Sequence, residues 1–180
     1  MRILVLLLIL TSFVFGYNYN SVLLKAQASI FPKIMLLDKK IEDKLVDGKV
    51  VFTVVYDKSD YKAALEISKF LKSIYEDKFD KYKYKVNLVE FKDLTISTEA
   101  TAIYALNSSS QIANVAKIAN KKGVIAFSYD SNDLKNGMLF SLILEKSTVL
   151  YLNKNNLPTQ KVDFIDSLYQ IVKFVSKEND

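Results

Sequence analysis

Short apolar segments alternate with helical segments between residues 50 and 129. The segment Val50–Tyr56 reads VVFTVVY and is apolar on both faces, which is typical of a strand in the middle of a parallel sheet. Apolar residues three and four apart predict helices over Ala64–Tyr75 and Ile112–Lys122. This alternation favours a mostly parallel sheet covered by helices. The further predicted strands are Val86–Phe91, Ala102–Leu106 and Gly123–Tyr129.

The two ends of this region extend the pattern. A helix is predicted over Asn20–Leu37, and Pro32 predicts a kink or an end near Ile30–Phe31. Leu139–Glu145 and Thr148–Asn153 are apolar strands two residues apart, which predicts a tight antiparallel hairpin. The expected fold is α/β: a three-layer sandwich whose mostly parallel sheet ends in this hairpin and is flanked by helices. A final helix is predicted with a buried stripe formed by Phe164, Leu168, Ile171, Val172 and Val175.

Residues 1–16 have the pattern of a secretory signal peptide that is cleaved before Tyr17. A positively charged N-terminus precedes the almost wholly apolar run Ile3–Phe15, and Gly16 is the small residue before the predicted cleavage site. This run is shorter than the ~20 residues of a membrane-spanning helix, so cleavage is favoured over the alternative of a membrane anchor. The working protein is therefore expected outside the cytoplasm, with residues 17–180 as a single domain.

The chain contains no cysteine and no histidine. Disulfides, thiol catalysis, Ser-His-Asp catalysis and ordinary zinc or copper sites are therefore excluded. The formal net charge is +5, and its lysines are scattered among acids, which is typical of a soluble surface. The basic stretch Lys78–Lys85 is interpreted as a solvated loop and the polar start of a strand, with nucleic-acid binding as the alternative. No cofactor, metal or nucleic-acid partner is expected.

The segment Asn107–Ser110 is the candidate ligand site. Four small polar residues, Asn107, Ser108, Ser109 and Ser110, stand between a predicted strand and a predicted helix. Free backbone amides and the positive end of the helix dipole favour anion binding there. The alternative is an ordinary helix cap, which needs one such residue. A second loop, Asp130–Asp133, begins like a calcium loop but lacks the glycine and glutamate that such loops need, so it is interpreted as a turn or a helix cap.

Three segments of the C-terminal third carry a family resemblance: Asn136–Leu142, the hairpin with Val149–Asn153, and Ile165–Ile171. Together they resemble the YfiR/HmsC-like periplasmic family, with Asn136 in place of the family's first glycine. It implies a periplasmic protein that represses an inner-membrane diguanylate cyclase by binding its periplasmic sensor region, with a homodimer as a further expectation. The resemblance further implies that release from this partner raises cyclic-di-GMP and favours biofilm. The family's cysteines are missing, so redox control through a disulfide is not carried over.

The functional expectation is a regulatory binding protein without catalytic activity. Its target is an inner-membrane signalling protein such as a diguanylate cyclase, as the resemblance implies. The alternative is a small-ligand or anion sensor, or a substrate-binding module, with its site at Asn107–Ser110. The first is expected to show an exposed apolar patch without a deep polar pocket, and the second a concave site at the loop edge of the sheet.

Overall fold

The computed structural model describes residues 17–108 and 110–175. The predicted signal peptide, residues 1–16, lies outside them. None of the helices in this part of the chain is long and apolar enough to cross a membrane. The helices are α1 (Ser21–Met35), α2 (Tyr61–Tyr75), α3 (Ile112–Lys122) and α4 (Asp166–Tyr169). The strands are β1 (Val50–Tyr56), β2 (Lys78–Phe79), β3 (Tyr82–Glu90), β4 (Ala102–Ala105), β5 (Ile125–Ser128), β6 (Phe140–Leu144), β7 (Thr148–Asn153) and β8 (Val172–Val175).

The strands form one sheet in the order β2-β3-β1-β4-β5-β6-β7-β8. Strands β3, β1, β4, β5 and β6 run parallel, with Thr53 of β1 paired to Asn87 on one side and to Ile103 on the other. Strands β6 and β7 are antiparallel and pair Leu142 with Leu150. The α/β fold class predicted from the sequence is confirmed.

Helices cover both faces of the sheet, which gives three layers. Helices α1 and α2 pack on one face, where Phe52 and Val54 of β1 point. Helix α3 packs on the other face, where Val55 and Ile103 point. Every residue of β1 is buried. Strands β3 and β4 flank it within the sheet, and helices cover the two faces of the sheet. Gly123 ends α3 in the left-handed conformation, with φ of 71°, as its position after two lysines predicts.

Helix α1 lies within the predicted range Asn20–Leu37 and continues through Pro32, where a kink or an end was predicted. Asn20 caps it, and its side-chain oxygen accepts hydrogen bonds from the amides of Val22 and Leu23 at 2.9 and 3.2 Å. The predicted end near Ile30–Phe31 is wrong, because the helix continues through Pro32 to Met35. Proline removes one hydrogen bond from the last turn, and the complete burial of Met35 holds this turn in place.

The predicted C-terminal helix is wrong. Only Asp166–Tyr169 forms a helical turn, and Val172–Val175 is strand β8, which pairs with β7 in parallel. The buried residues Phe164 and Leu168 belong to the core and create the helix-like spacing in the sequence. Beyond them, the open edge of β7 offers backbone partners to a segment rich in valine, a good strand former. The sheet therefore continues one strand past the hairpin.

The other edge of the sheet also differs from the prediction. Strand β3 begins at Tyr82 rather than Val86, and β2 pairs with its start through a tight turn in which Asp80 has φ of 54°. Tyr82 and Tyr84 pack against the core, whereas the lysines between and after them are exposed. The second half of the basic stretch is therefore the polar start of a strand, as predicted, whereas its first half contains strand β2 and a tight turn where a loop was expected.

One buried amide joins helix α1 to three parts of the sheet. Gln27 is completely buried, and its side-chain nitrogen donates to the carbonyl oxygens of Tyr129 and Leu142 at 3.1 and 2.8 Å. Its side-chain oxygen accepts from the hydroxyl of Tyr104 at 2.5 Å. Because Tyr104 lies on β4, Tyr129 follows β5 and Leu142 lies on β6, this side chain sets the position of α1 across the sheet.

Replacing Gln27 with leucine should lower the free energy of unfolding by about 3 kcal/mol, because several buried polar groups lose their partners together. Urea unfolding of the wild type and the Gln27→Leu variant measures this difference. The matched control is Gln27→Leu combined with Tyr104→Phe, which removes the stranded hydroxyl and should recover about 1 kcal/mol. A single variant as stable as the wild type contradicts this role of Gln27.

Candidate functional site

The carboxyl ends of β1 and β4 form the natural ligand edge of this fold. The chain leaves β1 for β3 on one side and later crosses to β4 on the other, so the strand order reverses between β1 and β4. Ligands of open α/β sheets bind at such a switch point, outside the carboxyl ends of the strands. The loops that meet here are Asp57–Asp60 and Asn107–Ser110. The second loop is the site predicted from the sequence.

Tyr19 bridges these two loops. Its hydroxyl donates to the carboxylate of Asp60 at 2.8 Å and accepts from the backbone amide of Asn107 at 3.0 Å. Burial and the Asp60 carboxylate raise the pKa of Tyr19 well above its ordinary value. The hydroxyl therefore stays protonated and donates to Asp60. Asp60 stands at the start of α2, where the helix dipole also favours a negative charge.

A cluster of aromatic rings around Tyr19 covers the same edge of the sheet. The ring of Tyr19 lies 4.9 Å from that of Tyr17 and 4.8 Å from that of Tyr129, both in edge-to-face geometry. The hydroxyl of Tyr129 accepts from the backbone amide of Asn20 at 3.0 Å. Burial raises the pKa of Tyr129. The segment Tyr17–Asn20 is thus attached to the ends of β4 and β5, at the place where a ligand would lie.

The residues of the predicted anion site have different surroundings. The amide of Asn107 is bonded to Tyr19. Ser108 is buried, and its carbonyl oxygen accepts from the amides of Gln111 and Ile112 at the start of α3. Ser110 is exposed, and Ser109 lies outside the described residues. Anion binding at this loop stays a prediction, and the amide of Asn107 already has a partner within the chain.

A buried polar cluster lies beside this edge, on the α3 face of the sheet. The hydroxyl of Ser128 donates to the carboxylate of Asp133, and Ser141 is paired with Ser128 on the neighbouring strand. Burial raises the pKa of Asp133 to about 6, opposed in part by the Ser128 hydrogen bond. The hydroxyl of Ser141 has no hydrogen-bond partner among the described residues. Both serines are completely buried.

Within residues 17–108 and 110–175, no group of three or more acidic residues is arranged to hold a metal ion. The side chain of Asp130 accepts from the amide of Asn132 at 2.9 Å and caps the short 3-10 helix Ser131–Asn136. This agrees with the interpretation of the Asp130–Asp133 loop as a turn or a cap.

Sequence reasoning missed the residues that organise this edge. Tyr19 and Asp60 are 41 residues apart, and Tyr19 and Asn107 are 88 apart, so no local pattern links them. Asp60 stands at the N-cap position of α2, yet its side chain makes no capping hydrogen bond and bonds to Tyr19 instead. The available signal was the tyrosine pair in the segment Tyr17–Asn20, directly before the first helix.

Comparison with known proteins gives similarities of fold. No protein-family model matches the chain, and no curated protein matches it. A solved conserved domain protein from Vibrio cholerae is similar with a TM-score of 0.53 and 13% sequence identity, over 76% of this chain and 58% of that one. The structure of an ABC domain in complex with L-Trp from Streptococcus pneumoniae is similar with a TM-score of 0.54 and 12% identity, over 79% of this chain and 60% of that one.

The chain therefore matches less than two thirds of the length of either solved structure. At 12–13% identity these similarities support the fold alone.

Replacing Tyr19 with phenylalanine should lower the free energy of unfolding by about 1–2 kcal/mol, because the Asp60 carboxylate and the Asn107 amide both lose a partner. Urea unfolding at neutral pH measures this effect. The matched control is Tyr17→Phe, because the ring of Tyr17 is 46% exposed and takes part in the same aromatic cluster. Equal losses in the two variants would show that the Tyr19 hydroxyl does not stabilise this edge.

Asp133 should make the protein more stable at pH 5 than at pH 7.5. The pKa of Asp133 is about 6 in the folded state, against 3.8 for an unburied carboxyl group, so between these values the folded state holds a proton that the unfolded state releases. Stability from this group is present below pH 3.8 and is lost as the pH rises through about 6. Between pH 5 and pH 7.5 the loss is about 1.4 kcal/mol.

The measurement is urea unfolding of the wild type and the Asp133→Asn variant at pH 5 and pH 7.5. The asparagine variant should show about 1.4 kcal/mol less change between the two pH values, because its side chain does not titrate. The control is Asp93→Asn, which alters an exposed carboxylate and should keep the wild-type pH dependence. Identical pH dependence in the wild type and the Asp133→Asn variant contradicts the raised pKa.

Proposed function

We propose that this protein is a periplasmic regulatory protein without catalytic activity, which binds and represses an inner-membrane signalling protein such as a diguanylate cyclase. The observation that carries the proposal is the closure of the ligand edge by the chain's own residues. At the switch point, the hydroxyl of Tyr19 is hydrogen-bonded to the backbone amide of Asn107 and to the carboxylate of Asp60. A domain that closes its small-molecule edge in this way is suited to act through its outer surface.

Exposed apolar side chains at another part of the surface also support binding to a protein. Ile171, just before β8, is 65% exposed, and Phe174 within β8 is 46% exposed. Exposed apolar patches on soluble domains often mark protein interaction sites. The predicted signal peptide and the resemblance to the YfiR/HmsC-like family are consistent with a target in the cell envelope.

A small-ligand sensor or substrate-binding module is the second candidate. The specific observation in its favour is the fold similarity to an ABC domain in complex with L-Trp. The present chain spans only 60% of that chain, so it lacks counterparts to much of that structure. Binding at the switch point would require the segment Tyr17–Asn20 to move and to break its bonds to Asp60 and Asn107.

The test of the proposal is capture of the target from detergent-solubilised envelope with the exported protein as bait. The expected result is an inner-membrane signalling protein with a periplasmic domain, whose purified periplasmic domain then binds the bait directly in calorimetry. Cyclase activity of the full-length target should fall when the bait is added, because the proposed role is repression.

The control for this experiment is a thermal-shift titration with L-Trp and with inorganic phosphate, since a ligand that binds the folded state raises the melting temperature. A melting temperature raised by either ligand, together with no signalling protein captured, would favour the ligand sensor over the regulator.

A further inference from the structure

Strand β3 has an open edge along most of its length. Strand β2 pairs only with its beginning, through Lys78 with Lys83 and Phe79 with Tyr82. The remainder, from Tyr84 to Glu90, has β1 on one side and no strand on the other within the part of the chain that the structure describes. Open strand edges are templates for pairing with another chain.

One hydrogen bond shows which residues of β3 point their backbone N–H and C=O groups away from β1. The amide of Tyr84 donates away from β1, to the carbonyl oxygen of Asp77 at 3.4 Å. In a parallel pair, the N–H and C=O groups of one residue point to the same side, and alternate residues point to alternate sides. Val86 and Leu88 therefore also direct their backbone groups outward, towards the open edge.

A basic groove of about 620 Å³ runs beside this edge, between β3 and α2. Its charged lining residues comprise four lysines and two acids, so its formal charge is positive. Lys85 also reaches Glu99, at 3.3 Å, whereas Lys49, Lys72 and Lys83 form no ion pair with any other described residue. The lining residues are Lys49, Ser68, Lys72, Glu76, Asp77, Lys83, Tyr84, Lys85 and Val86.

The two faces of β3 differ in chemistry. Tyr84, Val86 and Leu88 pack towards the core under α1 and α2. The alternate residues Lys83 and Lys85 are exposed on the opposite face. A strand added at this edge would therefore meet lysines on one face and apolar side chains on the other, because side chains directly across a strand pair share a face.

We propose that the open β3 edge and its basic groove bind an extended acidic segment of a partner protein as an additional strand. This inference rests on the proposed function and specifies the partner's chemistry: acidic side chains alternate with apolar ones along the segment. The acids face Lys83 and Lys85, and the apolar residues lie beside Val86 and Leu88. Backbone hydrogen bonds to Val86 and Leu88 supply affinity, and the alternating side chains supply specificity.

The geometry favours a peptide over other polyanions. An anionic lipid surface or a nucleic acid uses the lysines but leaves the backbone groups of Val86 and Leu88 without partners. The β8 edge is a weaker candidate, because it is four residues long and Lys173 there already lies over the ring of Tyr151. The β3 edge combines unpaired backbone groups of the strand with a groove of net positive charge.

The first test measures binding of a labelled eight-residue peptide of alternating glutamate and valine by fluorescence anisotropy. The same peptide with N-methyl groups on the residues that face β3 should bind about tenfold more weakly, since it loses strand hydrogen bonds but keeps its charge. A peptide of alternating lysine and valine should not bind. Equal binding of the methylated peptide, or no binding of the acidic one, would overturn the proposal.

The second test uses variants of the protein. The double substitution Lys83→Glu and Lys85→Glu should weaken binding of the acidic peptide by about tenfold or more. The matched control reverses two exposed lysines on α3, through Lys117→Glu and Lys121→Glu, and should bind as the wild type does. Circular dichroism confirms folding of both variants. Equal loss in both double variants would mean that net charge, and not this edge, attracts the peptide.

A third variant tests the backbone directly. Leu88→Pro removes an amide that points away from β1, so the pairing with β1 is retained. It should weaken binding of the acidic peptide while leaving its own circular dichroism spectrum native. If it fails to fold, the methylated peptide gives the same information on the wild type. Vesicles of anionic phospholipid that bind the wild type while the acidic peptide does not would assign the groove to a membrane and overturn the proposal.

Capture from the envelope separates this inference from the proposed function. If the wild type and the Lys83→Glu/Lys85→Glu variant retain the same signalling protein equally, the β3 inference is overturned and the proposed function stands. If the wild type retains no signalling protein, the proposed function fails, and the peptide measurements still decide whether the edge accepts a strand.

Discussion

The buried amide of Gln27 is the interaction on which the rest of this structure depends. Its three hydrogen bonds hold α1 against β4, the end of β5, and β6 at once. The segment Tyr17–Asn20 leads directly into this helix, and Asn20 caps it. The position of α1 therefore also sets the position of Tyr19 over the carboxyl ends of β1 and β4. An amide is suited to this place, since it donates and accepts within one buried side chain.

This arrangement has a consequence for where the protein interacts. The switch point of the sheet, which is open in many ligand-binding domains of this class, is filled by Tyr19 and its partners Asp60 and Asn107. Within residues 17–108 and 110–175, β3 and β8 each have an edge without a full-length neighbouring strand. Of these, β3 has the longer open edge and the basic groove beside it. The proposed recognition of another chain therefore uses the β3 edge.

The local pattern of apolar residues was sufficient to predict a strand or helix where burial alone determined its structure. The run Val50–Tyr56 is apolar on both faces, and only a central strand buries both, so its place in the sheet followed directly. The same holds for the β6–β7 hairpin. Residues Phe164–Val175 were misassigned because core contacts of Phe164 and Leu168 imitate a helical stripe, while the last four residues follow the open edge of β7. The sequence of one segment does not predict that it will pair with the open edge of a strand formed elsewhere in the chain.

The sequence alone therefore determined the fold class, the central strands and the helices between them, because burial on one or two faces leaves a local periodic signal. The occupant of the switch point was decided only by the tertiary structure. Tyr19 contacts Asp60 and Asn107 across 41 and 88 residues, and Gln27 reaches Leu142 across 115. Such contacts depend on how α1 lies on the sheet, so the spacing of residues within one segment does not predict them. The raised pKa of Asp133 has the same origin, since the burial that causes it exists only in the folded chain.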